Sequence, residues 1–155
     1  MISIRKTRLS ELKQISDMGC QNHVGDFLNH TPHEKHKYNF KSSDVIYLSI
    51  LSASEKLAGY VIIRKEKQLG TVQLKRIVMD EKYLGLGSEA IKSAEHYCVS
   101  VLKCTRLWLD VYEDNLRAVH VYEKLGYKIF KEGIENAKSV LFYEKTFRIK
   151  WALKN

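Results

Sequence analysis

The spacing of apolar and polar residues along the chain predicts alternating strands and helices. Alternation with a period of two, or a short run of β-branched and aromatic residues, predicts a strand. Such segments occur at Ile2–Thr7, Val45–Leu51, Leu57–Arg64, Thr71–Met79, Arg106–Tyr112, Tyr127–Phe130 and Val140–Phe147. Apolar residues at steps of three and four predict helices at Leu9–Met18, Ala90–Leu102 and Leu116–Leu125. Thr7 or Ser10 is the expected cap of the first helix, and the polar segment Cys20–Asp44 is expected to hold a short helix and a loop.

The order of these elements predicts the fold class. A strand and a helix come first, then an irregular region, three strands, and finally helix, strand, helix, strand and strand. This order is typical of an α/β protein with a mixed sheet and helices on its faces. The chain has 155 residues, a single proline, and no repeat, low-complexity tract or Pro/Gly-rich linker. We therefore expect one domain over residues 1–155.

Composition and charge restrict the cellular location and the kinds of binding partner that we expect for this protein. No apolar run approaches the roughly 18 residues of a membrane span, and Met1–Lys6 lacks the apolar stretch of a signal peptide. We expect a cytoplasmic protein without membrane contact. The net charge of +8 is compatible with binding to nucleic acid, to an acidic protein or to a polyanionic small molecule, and also with a plain solvated surface. Lysines and arginines are spread along the chain, which weakens the case for nucleic acid.

Cysteines and histidines give no pattern that predicts a metal site. The three cysteines are an odd number without a CxxC pair, so neither a disulfide framework nor a cysteine zinc site is expected. Cys98 falls on an apolar helical face and is expected in the core. His30, His33 and His36 are spaced by three, which suits metal ligands on a helix, but Pro32 interrupts the segment and no further ligand completes a site. We interpret these histidines as surface or substrate-loop residues.

A glycine-rich turn between a strand and the long helix offers a phosphate site. Gly85 and Gly87 lie just before the helix that contains Ala90. Free N–H groups and the positive end of the helix dipole attract phosphate, and glycines let it approach the backbone. Ser88 could add a hydroxyl. A Gly-x-Gly turn alone is weak evidence, because it also serves as a plain connection and here lacks the third glycine of the dinucleotide fingerprint.

The turn and the segments around it resemble the GNAT superfamily of acyl-CoA N-acyltransferases. Lys82-x-x-Gly85-x-Gly87 is similar to the family's Arg/Gln-x-x-Gly-x-Gly/Ala signature, with Lys82 in place of the first residue. The other segments that fit the family are Leu74–Val78, Ser88–Ile91, Arg106–Val111 and Asn115-x-x-Ala118-x-x-x-Tyr122-x-x-x-Gly126-Tyr127. The resemblance is strong over residues 70–130 and weak before residue 45. It implies a single GNAT-like domain with a largely antiparallel twisted sheet and helices on both faces.

The resemblance implies acetyl-CoA as the co-substrate and assigns residues to it. The main chain of Ile77 and Val78 would pair with the pantetheine arm. The turn would hold the pyrophosphate through Lys82, Tyr83, Leu84, Gly85, Leu86, Gly87 and Ser88. Asn115 matches an asparagine that contacts the cofactor in this family. Because it precedes the helix that begins at Leu116, it is equally a helix cap, and one side chain could fill both roles.

The resemblance also implies the catalytic groups. Tyr122 matches the family's tyrosine near the thioester sulfur, where a phenol can donate a proton to the thiolate that amine attack expels. Ala118, Tyr122 and Leu125 share a helical face, so a core aromatic is the alternative. Within this motif we favour the general acid.

The general base is left open by the sequence. The family supplies a carboxylate either on the strand before the glycine turn, where this chain has Gln73, or on the next strand, where it has Asp110. Asp110 faces away from Leu107 and Leu109, and a structural carboxylate is an equally good interpretation of it. Glu34 or a histidine of the same region could act instead, because in this family the segment between the first helix and the second strand shapes the acceptor pocket.

These observations predict an N-acetyltransferase that transfers acetyl directly from acetyl-CoA to a primary amine of a small molecule or a protein N-terminus. No metal and no covalent intermediate are expected, and the protein is expected to be a monomer or homodimer. The alternative is a non-catalytic module that binds acyl-CoA or uses its basic surface. It is suggested by Gln73 and by the basic, aromatic tail Arg148–Asn155, whose simplest interpretation is a frayed end.

Overall fold

A computed structural model describes residues 1–25 and 31–148 of the chain. Within these residues seven strands are present: β1 Ser3–Lys6, β2 Val45–Leu51, β3 Leu57–Lys65, β4 Thr71–Met79, β5 Arg106–Tyr112, β6 Lys128–Glu135 and β7 Lys138–Thr146. The α-helices are α1 Leu12–Met18, α2 Asn22–Gly25, α3 His33–Phe40, α4 Gly87–Ser100 and α5 Leu116–Lys124. Short 3₁₀ helices cover Leu9–Glu11 and Glu81–Leu86.

The chain divides into two compact units. The first contains Met1–Lys65 and Leu74–Ala94, and the second contains Glu66–Gln73 and the chain from Glu95 onward. The prediction of one domain over residues 1–155 stays a prediction.

In the first unit the sheet order is β1, β2, β3 and the later part of β4, and β2 pairs antiparallel with both β1 and β3. The β2–β3 register pairs Val45 with Arg64 and Ile50 with Gly59. Helices α1 and α2 contribute Leu12, Ile15, Met18 and Val24 to an apolar core with Tyr47, Tyr60, Ile62 and Val78. The steps of three between the α1 residues are what turns them all toward this core.

The start of the first helical segment differs from the sequence-based expectation. Neither Thr7 nor Ser10 caps it. The backbone N–H of Arg8 donates to Glu11 Oε1 at 2.8 Å, whereas the Thr7 hydroxyl lies 2.8 Å from that of Ser49 on β2. A carboxylate at the third helical position supplies the missing acceptor, so the threonine hydroxyl is free to tie β2 to the end of β1.

In the second unit, Thr71–Gln73 of β4 runs parallel to β5, with the register Thr71↔Arg106 to Gln73↔Trp108. Strand β5 pairs antiparallel with β7, which pairs antiparallel with β6. Leu107 and Leu109 are buried while Asp110 is exposed, as the alternation along β5 predicts. Cys98 is fully buried, which confirms its predicted place in the core.

The last two strands are longer than the sequence predicts, because they form one tight hairpin. The expected strands left residues 131–139 as a connection, but β6 and β7 continue to a two-residue turn at Asn136 and Ala137, whose φ angles are 53° and 61°. Left-handed backbone at both turn residues matches the twist of the hairpin, although glycine usually occupies the second position. Strand β6 is last in the strand order and carries a β-bulge between Ile129 and Lys131.

The fold class is confirmed as a mixed, largely antiparallel α/β sheet protein. None of the described helices is both long and apolar enough to cross a membrane. Most of the tail Arg148–Asn155 and all of His30 lie outside the described residues.

Candidate functional site

The turn before α4 is anchored to the first unit by side chains. Asp80 caps the 3₁₀ helix Glu81–Leu86 by accepting from the Lys82 N–H at 3.1 Å. Gln21 holds the same residues, because its amide donates to Asp80 Oδ2 at 3.0 Å and accepts from the Glu81 N–H at 3.0 Å. The sequence predicted an open glycine turn here and missed both the 3₁₀ helix and the role of Gln21.

The two glycines of the turn have no neighbours that would require glycine. A Cβ built at Gly85 or Gly87 would meet no heavy atom of the described residues within 4 Å, and neither glycine has a positive φ. At Gly59, by contrast, a Cβ would lie 2.6 Å from the Val78 carbonyl oxygen. Gly25 is as open as Gly85. What distinguishes Gly85 and Gly87 is their position at the start of the 14-residue helix α4. Packing among the described residues does not explain these glycines, and their open surroundings leave room for a ligand to approach the backbone.

Some N–H groups of the turn are already bonded within the chain. The Tyr83 N–H donates to the Asp80 carbonyl at 2.8 Å, and the Gly87 N–H donates to the Leu84 carbonyl. Together with the Lys82 N–H, these groups stabilise the turn itself. Ser88 lies in the first turn of α4 and is partly exposed.

On β4, Ile77 is partly buried and Val78 is buried in the apolar core of the first unit. Asp80, just beyond the end of β4, donates its N–H to the Ala58 carbonyl of β3 at 2.8 Å. The structure therefore gives the Val78 side chain a packing role, which leaves only its main chain for a ligand.

Asn115 caps helix α5. Its side-chain oxygen accepts from the Ala118 N–H at 3.3 Å. The capping alternative considered from the sequence is thereby confirmed. The Asn115 side-chain amide N–H₂ donates to no described residue in this geometry.

Tyr122 lies inside the second unit. It is 6% exposed, and its ring contacts those of Tyr127 and Tyr143 at centroid distances of 5.6 Å and 6.4 Å. Burial raises the pKa of the Tyr122 phenol above its usual range, and the charge of Asp110 raises it further. Within the described part of the chain, its hydroxyl has no hydrogen-bond partner. The phenol therefore stays protonated at neutral pH.

Asp110 lies at the middle of β5, opposite Phe142 of β7. Removal from bulk solvent raises the pKa of its carboxyl group, and the charge of Glu135 adds to this, although the side chain keeps contact with water. A carboxylate with a raised pKa is a better proton acceptor at neutral pH than an ordinary aspartate. Of the two predicted catalytic residues, Asp110 acts electrostatically on Tyr122 by raising the pKa of its phenol.

The remaining candidates for the base differ in their surroundings. Gln73 is partly buried and pairs with Trp108 in the β4–β5 register. Glu34 is exposed on α3 and lies 3.7 Å from the Lys37 ammonium.

One prediction about the histidines is wrong. His36 is only 1% exposed, and its Nδ1 lies 2.7 Å from the Tyr47 hydroxyl. It meets the Tyr60 ring edge-on at 6.1 Å. The buried hydroxyl of Tyr47 compensates the cost of burying an imidazole, so His36 is part of the core of the first unit. In the described ranges, no group of three or more His, Cys, Asp or Glu could hold a metal ion.

The structure contains a charged cluster that the sequence did not predict. Glu95 of α4 is 8% exposed and accepts from the Tyr127 hydroxyl at 2.7 Å and from the Lys145 ammonium at 3.1 Å. Burial, then the charge of Glu95 and the bond to it, raise the pKa of Tyr127. The cluster joins α4 to β7 and explains why a glutamate is tolerated on the inner face of the helix.

A mixed sheet, a pair of open glycines at the start of a long helix, and a buried phenol under the electrostatic influence of a carboxylate are features expected from the resemblance to the acyl-CoA N-acyltransferases. The sequence model of the acetyltransferase (GNAT) family matches residues 12–127, three quarters of the 155 residues. This chain belongs to the acetyltransferase (GNAT) family.

Relatives and solved structures agree with this membership. The spermine/spermidine N(1)-acetyltransferase of Bacillus subtilis is 29% identical over 82 residues, which are 52% of this chain and 54% of that protein. The chain thus spans about half the length of the curated relative it matches. The spermidine N-acetyltransferase of Vibrio cholerae in complex with CoA and spermine has a TM-score of 0.82 at 15% identity, over 94% of this chain and 95% of that one. An aminoglycoside acetyltransferase in complex with coenzyme A has a TM-score of 0.79 at 14% identity, over 94% and 95%. These structures show the fold.

Proposed function

We propose that this protein transfers an acetyl group from acetyl-CoA directly to a primary amine. The observation that carries the proposal is Tyr122, a buried phenol that keeps its proton, at the position of the family's general acid. Relatives named as spermine and spermidine acetyltransferases support an amine as the acceptor. A location in the cytoplasm and a monomeric or dimeric state remain predictions.

Acetyl-CoA fits the residues at the glycine turn. The open space at Gly85 and Gly87 lets a pyrophosphate approach the backbone, and the start of α4 supplies a positive helix dipole. The backbone of the turn and of the first residues of α4, from Lys82 to Ser88, is proposed to contact the pyrophosphate, although the N–H groups of Lys82, Tyr83 and Gly87 already donate within the turn. The main chain of Ile77 and Val78 is proposed to pair with the pantetheine arm.

The proposed chemistry uses two side chains of the second unit. Asp110, directly or through water, accepts a proton from the ammonium of the acceptor, so that the neutral amine can attack the thioester carbon. The C–S bond breaks as the tetrahedral adduct collapses, and Tyr122 donates its proton to the departing thiolate. The proton that the new amide nitrogen then loses restores the phenol. Asn115 would cap α5 through its side-chain oxygen and contact the cofactor through its side-chain N–H groups.

The test has two stages. Thermal stabilisation by acetyl-CoA and by coenzyme A, with ATP and NAD as controls, measures cofactor binding. Release of free thiol in the presence of amines then measures transfer. We expect Tyr122→Phe to bind acetyl-CoA normally and to lose about a hundredfold in kcat, while Tyr97→Phe, a partly buried phenol on α4, keeps its activity. Stabilisation by the cofactor without transfer to any amine would favour the alternative of a binding module.

A further inference from the structure

A group of cationic side chains lies on the first unit, away from the turn. The elements α3, β2, β3 and the later part of β4 contain the cations Lys35, Lys37, Arg64, Lys65, Lys75 and Arg76 but only one acid, Glu34. Asp44, just before β2, is the next acid. We call Lys35, Arg64 and Lys75 the cationic triad, because all three side chains are exposed and the charges of Lys35 and Arg64 act on Lys75.

Contacts within the unit show that the triad is incompletely neutralised. The carboxylate of Asp44 lies 3.8 Å from Nε of Arg64, and both side chains are 50% exposed. Lys35 lies over the ring of Tyr38, with its ammonium 5.5 Å from the ring centroid. The pKa of Lys75 is lowered by desolvation and then by the charges of Arg64, Lys35 and Arg76, against an opposing effect of Asp44. Three cationic neighbours and one anionic neighbour leave an excess of positive charge around Lys75.

The triad is distant from the turn proposed for the pyrophosphate. Ala58 of β3 bonds to Asp80 at the turn end of β4, whereas Arg64 is six residues further along β3. At about 3.4 Å per residue this is roughly 20 Å. The proposed cofactor runs from the turn to Ile77 and Val78 on β4, and Arg76 and Lys75 are the next residues in that direction. The thioester end, rather than the phosphate end, of acetyl-CoA would therefore point toward the triad.

We propose that the acceptor amine carries an anionic group, a carboxylate or a phosphate, and that Lys35, Arg64 and Lys75 bind it. This inference rests on the proposed function and specifies its substrate class. A polycation such as spermidine would meet repulsion from the same three side chains, and nothing among the described residues of α3, β3 or β4 offers it a matching set of carboxylates.

The experiment compares amines that differ only in the charge of the distal group. One pair is 3-aminopropanoate and 1,3-diaminopropane, another is O-phosphoethanolamine and ethanolamine, and spermidine is the polycation. Thiol release at saturating acetyl-CoA gives kcat/KM for each amine. We expect about a tenfold preference for the anionic member of each pair at low salt, decreasing as ionic strength rises.

Charge-reversed variants assign the preference to the triad. Arg64→Glu and Lys75→Glu should each lower kcat/KM for the anionic amines by about fivefold and raise it for spermidine. Lys56→Glu, an exposed lysine in the β2–β3 turn, makes the same charge change elsewhere and should leave the ratio unaltered. Arg64→Gln and Lys75→Gln are the milder versions if a glutamate impairs folding.

Three results would overturn the proposal, and they are distinguishable. Preference for spermidine that the reversals do not change would make the triad an ordinary solvated surface. Weaker binding of acetyl-CoA in the reversed variants, with no such loss for 3′-dephospho-CoA, would assign the triad to the cofactor's phosphate. If the unaltered protein neither binds acetyl-CoA nor releases thiol with any amine, the proposed function itself fails and the acceptor inference fails with it.

Discussion

The hydroxyl of Tyr127 donates a 2.7 Å hydrogen bond to Glu95, whose carboxylate also binds the Lys145 ammonium. Side-chain exposures of 10% for Glu95 and 27% for Lys145 place this pair largely out of water. Each partner therefore depends on the others, because a buried carboxylate without its cation is costly.

Lys145→Met is expected to destabilise the protein by about 3 kcal/mol, since it leaves the Glu95 carboxylate without its cation. Chemical denaturation measures the change. Lys128→Met, at an exposed position of β6, removes the same charge and should alter the stability by less than about 0.5 kcal/mol. Equal stabilities of the two variants would mean that Tyr127 alone satisfies the carboxylate.

Gly85→Val is expected to abolish acetyl-CoA binding and to leave the fold intact. A Cβ at this position would meet no heavy atom of the described residues within 4 Å, so the valine would extend into space that we assign to the pyrophosphate. Calorimetry with acetyl-CoA and a thermal melt without it measure the two effects. Gly25→Val, at an equally open position, is the control and should bind normally. An unchanged affinity of Gly85→Val would show that the turn is only a connection.

Asp110→Asn is expected to lower the transfer rate at neutral pH and to regain much of it at high pH, where the amine is deprotonated without help. The rate profile between pH 6 and 10 measures this. A loss that is uniform across the profile would contradict a role as base.

The same substitution has an expected effect on stability. The pKa of Asp110 is raised in the folded protein, chiefly by desolvation. The folded state therefore disfavours the ionised form, and stability is lost as pH rises from the usual aspartate pKa through the raised one. Asp110→Asn should be at least as stable as the unaltered protein at pH 7 and gain nothing at pH 3. If Asp110→Asn is instead less stable than the unaltered protein at pH 7, the Asp110 carboxylate has a structural role.

Asn115→Ala is expected to cost about 1 kcal/mol, because the Ala118 N–H loses its acceptor. Asn115→Asp keeps the acceptor and should retain the stability, but it removes the side-chain N–H groups proposed to contact the cofactor. Weaker acetyl-CoA binding in Asn115→Asp, with normal stability, would separate the two roles. Normal binding in both variants would leave Asn115 as a cap only.

Local patterns were enough to predict several strands. The observed bounds of β2, β4 and β5 are those that the sequence indicates, because each strand is a compact β-branched or aromatic run between polar residues. The hairpin turn was missed because Asn136-Ala137 lacks the glycine that usually marks left-handed backbone. The 3₁₀ helix at Glu81–Leu86 was missed because Gly85 suggested an irregular turn.

Site residues were predicted less completely, for a physical reason. Tyr122, Asp110 and the turn could be named because their spacing resembles a family. The burial of His36 depends on Tyr47, and that of Glu95 depends on Lys145, 50 residues away in sequence. Such pairs arise only when distant segments pack, so a one-dimensional pattern does not contain them. The cationic triad is of the same kind, since it combines α3, β3 and β4.

The last strand in the sheet order bears on how the protein behaves in concentrated solution. An unprotected strand edge can recruit a strand from another molecule and begin an aggregate. Strand β6 presents Lys128, Lys131, Glu132 and Glu135 on exposed positions and is interrupted by its bulge. The charged side chains and the bulge both hinder regular backbone pairing with a strand of another molecule. The charges and the bulge are therefore expected to lower the tendency of this border to recruit strands from other molecules, and to offset the exposed side chains of Ile129, Phe130 and Ile134.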